Sequence, residues 1–244
     1  MKRKTAIITG ASRGIGKACA QVLAEQGYDL VLTCNKNVEM LNNLSNELKD
    51  KYHIQVLNIC GDISDYSFVE SMFEKIADFT ETIDVLINNA GIAHMGLLSD
   101  MSIDEWNRII NTNLTSVFAC SKLAIPRMLK NGGGKIINIS SIWGLYGASY
   151  EVAYSATKGG IDSLTRALGK ELAPSNIQAN VIACGVIDTD MNSVVDEESM
   201  NEIKEDIPAG RLGTPEEVAK MALQLIESPS YLTGQIIQFD GGYI

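Results

Sequence analysis

The stretch Thr5-Ala6-Ile7-Ile8-Thr9-Gly10-Ala11-Ser12-Arg13-Gly14-Ile15-Gly16 decides the fold. A short apolar run ends in glycines spaced Gly-x-x-x-Gly-x-Gly, and a helix-like segment, Lys17–Gln26, follows at once. Glycines at a strand-to-helix junction permit positive φ and close backbone approach. The helix that follows then offers unpaired N–H groups to an anion such as a pyrophosphate. The spacing differs from Gly-x-Gly-x-x-Gly, so the argument rests on the placement of the glycines between strand and helix.

Six further apolar runs extend the pattern: Asp29–Cys34, Ile54–Ile59, Val85–Ile87, Lys135–Ser140, Ile177–Ala183 and Gln235–Phe239. Helix-like segments such as Ser67–Phe79 and Ala153–Leu172 lie between them. Strands apolar on both faces, alternating with helices, predict an α/β chain: a parallel sheet of about seven strands covered by helices on both sides. No linker, repeat or composition break divides the 244 residues, so residues 1–244 read as one domain. The acidic segment 188–211 is either a lid over the sixth strand's end or an ordinary surface excursion.

Composition narrows the function classes. A net charge of −10 disfavours a nucleic-acid surface or docking on anionic lipid. The cysteines at 19, 34, 60, 120 and 184 form no Cys-x-x-Cys, which suits a reduced, cytoplasmic protein. His53 and His94 stand apart without ligand-like neighbours, so no metal site is expected. The basic Met1-Lys2-Arg3-Lys4 runs straight into the first strand, unlike a signal peptide. No run reaches the roughly 20 apolar residues of a membrane span.

After the second strand, Asn35-Lys36-Asn37 carries no acid to bond a ribose 2′-hydroxyl. Lys36 and Arg13 suit a 2′-phosphate instead, or are solvated surface cations. Asp62, in Cys60-Gly61-Asp62-Ile63-Ser64, either accepts from an adenine amino group or caps the next helix, as Ser64 also can. Among eight tyrosines, only Tyr154 has a lysine four residues later, Lys158. On a helix such a pair shares one face. An ammonium about 4 Å away at an effective dielectric near 20 supplies the ~3–4 kcal/mol that lowers a phenol pKa by two or three units. The alternative is a surface ion pair of a few tenths of a kcal/mol. Ser141, closing the fifth apolar run, completes a trio suited to moving a proton at an oxygen; Ser140 points to the opposite face of the same strand.

These residues resemble a single-domain short-chain dehydrogenase/reductase over essentially the whole chain. The likeness is carried by Thr9–Gly16, Asn88-Asn89-Ala90-Gly91, Asn113 in Asn-Thr-Asn-Leu, and Ser141 spaced to Tyr154 and Lys158. It implies a Rossmann-like, doubly wound fold and an NADP(H)-dependent oxidoreductase. Tyr154 is then the acid, Lys158 the holder of the nicotinamide ribose, and Ser141 the partner of the substrate oxygen. Asn113 positions a water that relays protons. Gly10, Ser12, Arg13, Gly14, Ile15, Gly16, Lys36, Asp62, Ile63, Asn89, Ala90, Gly91, Ile187 and Thr189 line the cofactor cleft. By the same resemblance the chain is a homotetramer, pairing helices Asp104–Lys130 and Ala153–Leu172 across a two-fold axis.

Within the family, Gly210-Arg211-Leu212-Gly213-Thr214-Pro215-Glu216-Glu217 and the ending Leu232–Gly242 are most similar to 3-oxoacyl-[acyl-carrier-protein] reductases, enzymes of fatty acid biosynthesis. The expected reaction is NADPH-dependent reduction of a 3-oxoacyl thioester. Reduction of a small ketone, steroid or polyol is the alternative, and an NADP-binding regulator the non-enzymatic one. Two departures stand out. Cys184-Gly185 replaces the usual Pro-Gly, and the segment 173–176 lacks a basic residue for an acidic carrier protein, leaving Arg127, Lys130 and Lys170 as docking candidates.

Overall fold

The structure is a computed structural model and describes residues 3–192 and 196–244. Seven strands form one parallel sheet: β1 (Thr5–Ile8), β2 (Asp29–Cys34), β3 (Val56–Cys60), β4 (Val85–Asn88), β5 (Gly134–Ser141), β6 (Ile177–Cys184) and β7 (Ile236–Phe239). Their order is β3-β2-β1-β4-β5-β6-β7. The chain winds outward from β1 to β3, returns to lay β4 beside β1, and winds outward on the other side. That reversal opens a crevice at the carboxyl ends of β1 and β4, where doubly wound sheets bind ligands.

Side chains alternate across the sheet because successive strand residues face opposite ways. Ala6, Ile8, Leu30, Leu32, Val85 and Ile87 point to one face. They pack against α1 (Gly14–Glu25), α2 (Val38–Tyr52) and α9 (Pro215–Glu227) through Leu23, Leu41, Leu48, Val218 and Leu225. Ile7, Val31, Leu86 and Ile136 point to the other face, against α3 (Tyr66–Phe79) and α5 (Ser116–Lys130). Both faces are dry, which is why the strands read as continuous apolar runs. The remaining helices are α4 (Ile103–Ile110), α6 (Trp143–Tyr146), α7 (Val152–Leu172) and α8 (Glu197–Asp206).

Three expectations are modified. The helix expected over 104–130 is interrupted by a π-helical turn, Asn111–Thr115, joining α4 to α5. The cap of α3 is neither Asp62 nor Ser64 but Asp65, whose side chain accepts from the Ser67 N–H. In the expected lid segment 188–211, Asp190–Asn192 forms a short 3₁₀ turn and α8 follows, its cap Asp196 accepting from Ser199. Residues 193–195 of that segment lie outside the described residues. Among the described residues, no helix is long and apolar enough to cross a membrane.

Candidate active site

The glycine loop is held from beneath by a buried threonine. Thr9 Oγ1 accepts the backbone N–H groups of Asn89 and Ala90, each at 3.0 Å. Asn89 Nδ2 donates back to the Thr9 and Gly10 carbonyls at 3.0 and 3.1 Å. The loops after β1 and β4 are thereby fastened across the crevice. The fastening demands glycine: Gly10 has φ 66°, and a Cβ at Gly16 would lie 2.3 Å from the Gly10 carbonyl oxygen.

A cavity of about 470 Å³ opens above these loops. Of the residues expected along a cofactor cleft, it is lined by Gly10, Ser12, Arg13, Gly14, Ile15, Lys36, Asp62, Ile63, Asn89, Ala90, Gly91 and Thr189. Gly16 packs behind the loop instead of lining it. Arg13 Nη1 meets Asp190 Oδ2 at 3.1 Å, an exposed ion pair across the mouth. Exposed pairs are worth about 0–1 kcal/mol, so the guanidinium is free to exchange Asp190 for a better anion. Asp62 Oδ1 accepts from the Ser64 N–H and hydroxyl at 2.9 and 2.7 Å, and the bond from the Ser64 backbone is the largest influence holding its carboxyl below the usual range. Arg108 and Thr112 also line the cavity. Neither was expected, because the π turn that sets their direction has no signature in Asn-Thr-Asn-Leu-Thr.

A smaller cavity of about 150 Å³ adjoins the first and shares Ile15, Asn89, Gly91, Thr189 and Met191 with it. Ser141, Tyr154, Lys158, Ile187, Trp143 and Cys184 line it. Tyr154 and Lys158 face inward from successive turns of α7, with Lys158 Nζ 5.4 Å from the phenol ring centroid. Lys158 Nζ also donates to the Ile139 carbonyl at 2.9 Å. Both Ser140 and Ser141 border this cavity, but their hydroxyls take different partners. Ser140 Oγ turns to the Lys158 carbonyl, whereas Ser141 accepts from the Trp143 N–H and lies beside Tyr154. Asn113 is fully buried in the π turn. Its side chain exchanges hydrogen bonds with the Ile92 backbone, accepting from N–H at 2.8 Å and donating to the carbonyl at 2.9 Å.

The electrostatics correct the expected lowering of the Tyr154 pKa by Lys158. Burial pushes the phenol above its ordinary value, Glu151 and Cys184 push the same way, and only the Ser141 hydroxyl pulls back. Burial, which disfavours the charged phenolate, is the largest influence on it. Burial acts on the lysine too and brings it down to about 8. Cys184 closes β6 in register with Ser141 and Phe239, and its buried thiol is pushed up to about 12.

The distinctive Gly210–Glu217 stretch has a packing role. Arg211 forks onto Glu217 at 2.8 and 2.7 Å, and Thr214 and Glu217 form a capping box on α9. Gly213 pairs with Ile187, fixing the segment that carries Ile187 into the smaller cavity. The docking candidates behave otherwise. Arg127 donates to the Thr80 and Phe73 carbonyls and Lys130 pairs with Glu81. They close α5 where β5 begins, at the opposite end of the sheet from Ser141.

Among the described residues, no cluster of three or more His, Cys, Asp or Glu is placed to hold a metal ion. The family model described as short chain dehydrogenase matches residues 4–200. The chain is 38% identical to the 3-oxoacyl-[acyl-carrier-protein] reductase FabG of Aquifex aeolicus, over 99% of this chain and 98% of that protein. It is 42% identical to the FabG of Chlamydia trachomatis, over 98% and 96% respectively. Among solved structures it is similar to YwfH, an NADPH dependent reductase involved in bacilysin biosynthesis. That match has a TM-score of 0.94 and 29% identity, and covers 100% of this chain and 99% of the other.

Proposed function

The chain belongs to the short-chain dehydrogenase family, and from that membership we propose that it reduces the ketone of a 3-oxoacyl thioester with NADPH, a step of fatty acid biosynthesis. The observation that carries the chemistry is that Ser141, Tyr154 and Lys158 together line the smaller cavity, which adjoins the larger one. The larger cavity suits a dinucleotide: a glycine-floored cradle at a helix N-terminus for the pyrophosphate, with Arg13 and Lys36 at the outer end for a 2′-phosphate. NADPH, when bound, supplies the hydride.

The chain's own residues handle the oxygen. Ser141 and Tyr154 present hydroxyls to a carbonyl oxygen in the smaller cavity. Tyr154 gives its proton as negative charge develops there. Burial keeps that phenol protonated through the neutral range, the state an acid must start from. Lys158 places its ammonium behind Tyr154 and steadies the charge left on it. Lys158 then passes a proton to the Tyr154 phenolate and regains one from a water held near the π turn that Asn113, tied by its side chain to Ile92, shapes. Trp143 and Met191 form an apolar wall for the acyl arm.

The FabG relatives support a thioester on acyl carrier protein. Because Arg127 and Lys130 sit at the far end of the sheet, a docking role for them needs a second copy packed antiparallel along α5 and α7. That arrangement agrees with the proposed homotetramer. The small volume of the catalytic cavity, about 150 Å³, favours as a second reading the reduction of a compact free ketone. NADPH oxidation assayed with acetoacetyl thioesters and with cyclic ketones separates the two. Turnover of ketones without turnover of any 3-oxoacyl thioester overturns the first.

A further inference from the structure

β2 and β3 end side by side, each in a cysteine, and Cys34 and Cys60 are direct register partners. Their Sγ atoms are 3.2 Å apart. Cys60 is exposed and Cys34 is buried. Neighbouring parallel strands lie about 4.8 Å apart, within the ~4.4–6.8 Å that a disulfide spans between Cα atoms. Closure therefore moves the sulfurs about 1 Å toward each other, to a bond of roughly 2.05 Å, without re-registering the sheet.

The position of this thiol pair couples it to the larger cavity. Past Cys34 the chain becomes Asn35-Lys36-Asn37, and past Cys60 it becomes Gly61-Asp62-Ile63; both segments line that cavity, as does Cys34 itself. The Asn37 backbone N–H favours the charged form of the Cys34 thiol, and the Asn35 side chain that of the Asp62 carboxyl. A covalent bond at the root of both segments fixes their separation.

We propose that Cys34 and Cys60 form a reversible disulfide that weakens NADPH binding at the adenosine end of the cavity. The proposal rests on the reading of that cavity as the NADPH site. The chemistry is thiol–disulfide exchange with a low-molecular-weight disulfide, RSSR. Exposed Cys60, as thiolate, attacks one sulfur of RSSR; that S–S bond breaks, and RS⁻ leaves and takes up a proton. Cys34 then gives up its proton and attacks Cys60 Sγ within the pair, displacing the second RS⁻, which is protonated in turn. Two protein thiols are oxidised to one disulfide, and one RSSR is reduced to two RSH. The order follows from access: burial pushes Cys34 up to about 12, so Cys60 is the thiol that meets the oxidant.

The test uses the full-length protein and oxidised glutathione. After treatment and alkylation, mass spectrometry is expected to find a Cys34–Cys60 linked peptide in the wild type. Cys34→Ser should retain glutathione on Cys60, and Cys60→Ser should give neither product. Fluorescence titration is expected to show the NADPH Kd rising roughly tenfold to a hundredfold on oxidation, the weight of one charge-assisted contact, and returning with dithiothreitol. By reciprocity, saturating NADPH should hold the pair reduced against glutathione by the same factor. A wild type that carries only a glutathione adduct, with no linked peptide, overturns the disulfide. A linked peptide with unchanged NADPH affinity overturns its control of the cavity. Reduced protein that fails to bind NADPH overturns the cofactor reading and the coupling with it, while the peptide map still judges the disulfide alone.

Discussion

Replacing Thr9 by Val tests whether the fastening beneath the glycine loop sets the stability of the site. Valine keeps the shape and removes the oxygen that accepts from Asn89 and Ala90. Thr9 is 2% exposed while Asn89 and Ala90 are half-buried, so water reaches the two freed N–H groups only in part. Each buried, unpaired donor costs about 1–3 kcal/mol, and the added apolar methyl returns about 0.8 kcal/mol. The expected net loss is therefore about 1–5 kcal/mol, with a Tm lower by roughly 2–4 °C per kcal/mol for a chain of this size. Thr9→Ser keeps the oxygen and loses only a methyl, so it should cost about 1 kcal/mol. Urea unfolding followed by circular dichroism, at one fixed protein concentration, measures all three proteins. NADPH titration should also show weaker binding in Thr9→Val than in Thr9→Ser. If the valine variant is as stable as the serine variant and binds NADPH equally, the fastening argument fails.

Tyr154→Phe should cut turnover by about 10²–10⁴-fold, the usual worth of a general acid, with little change in NADPH Kd; stopped-flow NADPH oxidation measures it, and near wild-type kcat defeats the assignment. The kcat/KM ratio should favour NADPH over NADH by roughly tenfold to a hundredfold if, as proposed, Arg13 and Lys36 meet a 2′-phosphate. Parity between the cofactors refutes this. Lys158, which faces Cys184 and Asp162, sits at about 8 in the folded chain, below its ordinary 10.5. Across that window the unfolded chain binds more protons than the folded one, so the Lys158 contribution to stability grows as pH rises from 8 and is lost as pH falls back through 8. The difference between wild type and Lys158→Met should therefore shift in the wild type's favour from pH 8 to 10, before Tyr154, held high by burial, begins to act in the opposite sense. Light scattering at micromolar concentration should give four copies; a monomer removes the proposed tetramer.

The strands were legible because a sheet buried on both faces must be written in apolar runs. β2, Asp29–Cys34, has the bounds its sequence predicts, and β6 and β7 differ by one residue at one end. Local motifs were legible where the chemistry is local, as with the glycine loop and the Tyr154–Lys158 turn. Features created by pairing distant segments were not. Thr9 gains its role only when β4 lies beside β1, and Cys34 meets Cys60 only through strand register. The sign of the Tyr154 shift was missed because spacing reports the neighbouring cation and is silent about dehydration. The Gly210–Glu217 stretch was easy to recognise, yet its residues cap α9 and pin Ile187, so it says more about assembly than about substrate.

The π turn at Asn111–Thr115 makes this region sensitive to length where it tolerates changes of kind. Each residue advances an α-helix by about 100°. Deleting one residue here would restore a regular helix but swing the upstream face by that angle relative to α5. Arg108 would leave the cavity wall and Ile109 the core, while Val117, Ala119 and Cys120 stayed in place. The turn therefore acts as a fixed phase offset between two halves of one rod, setting Arg108 on the cavity and Ile109 in the core while the second half keeps its own buried face. Insertions and deletions between Ile103 and Lys130 should be far more damaging than substitutions on the rod's exposed side.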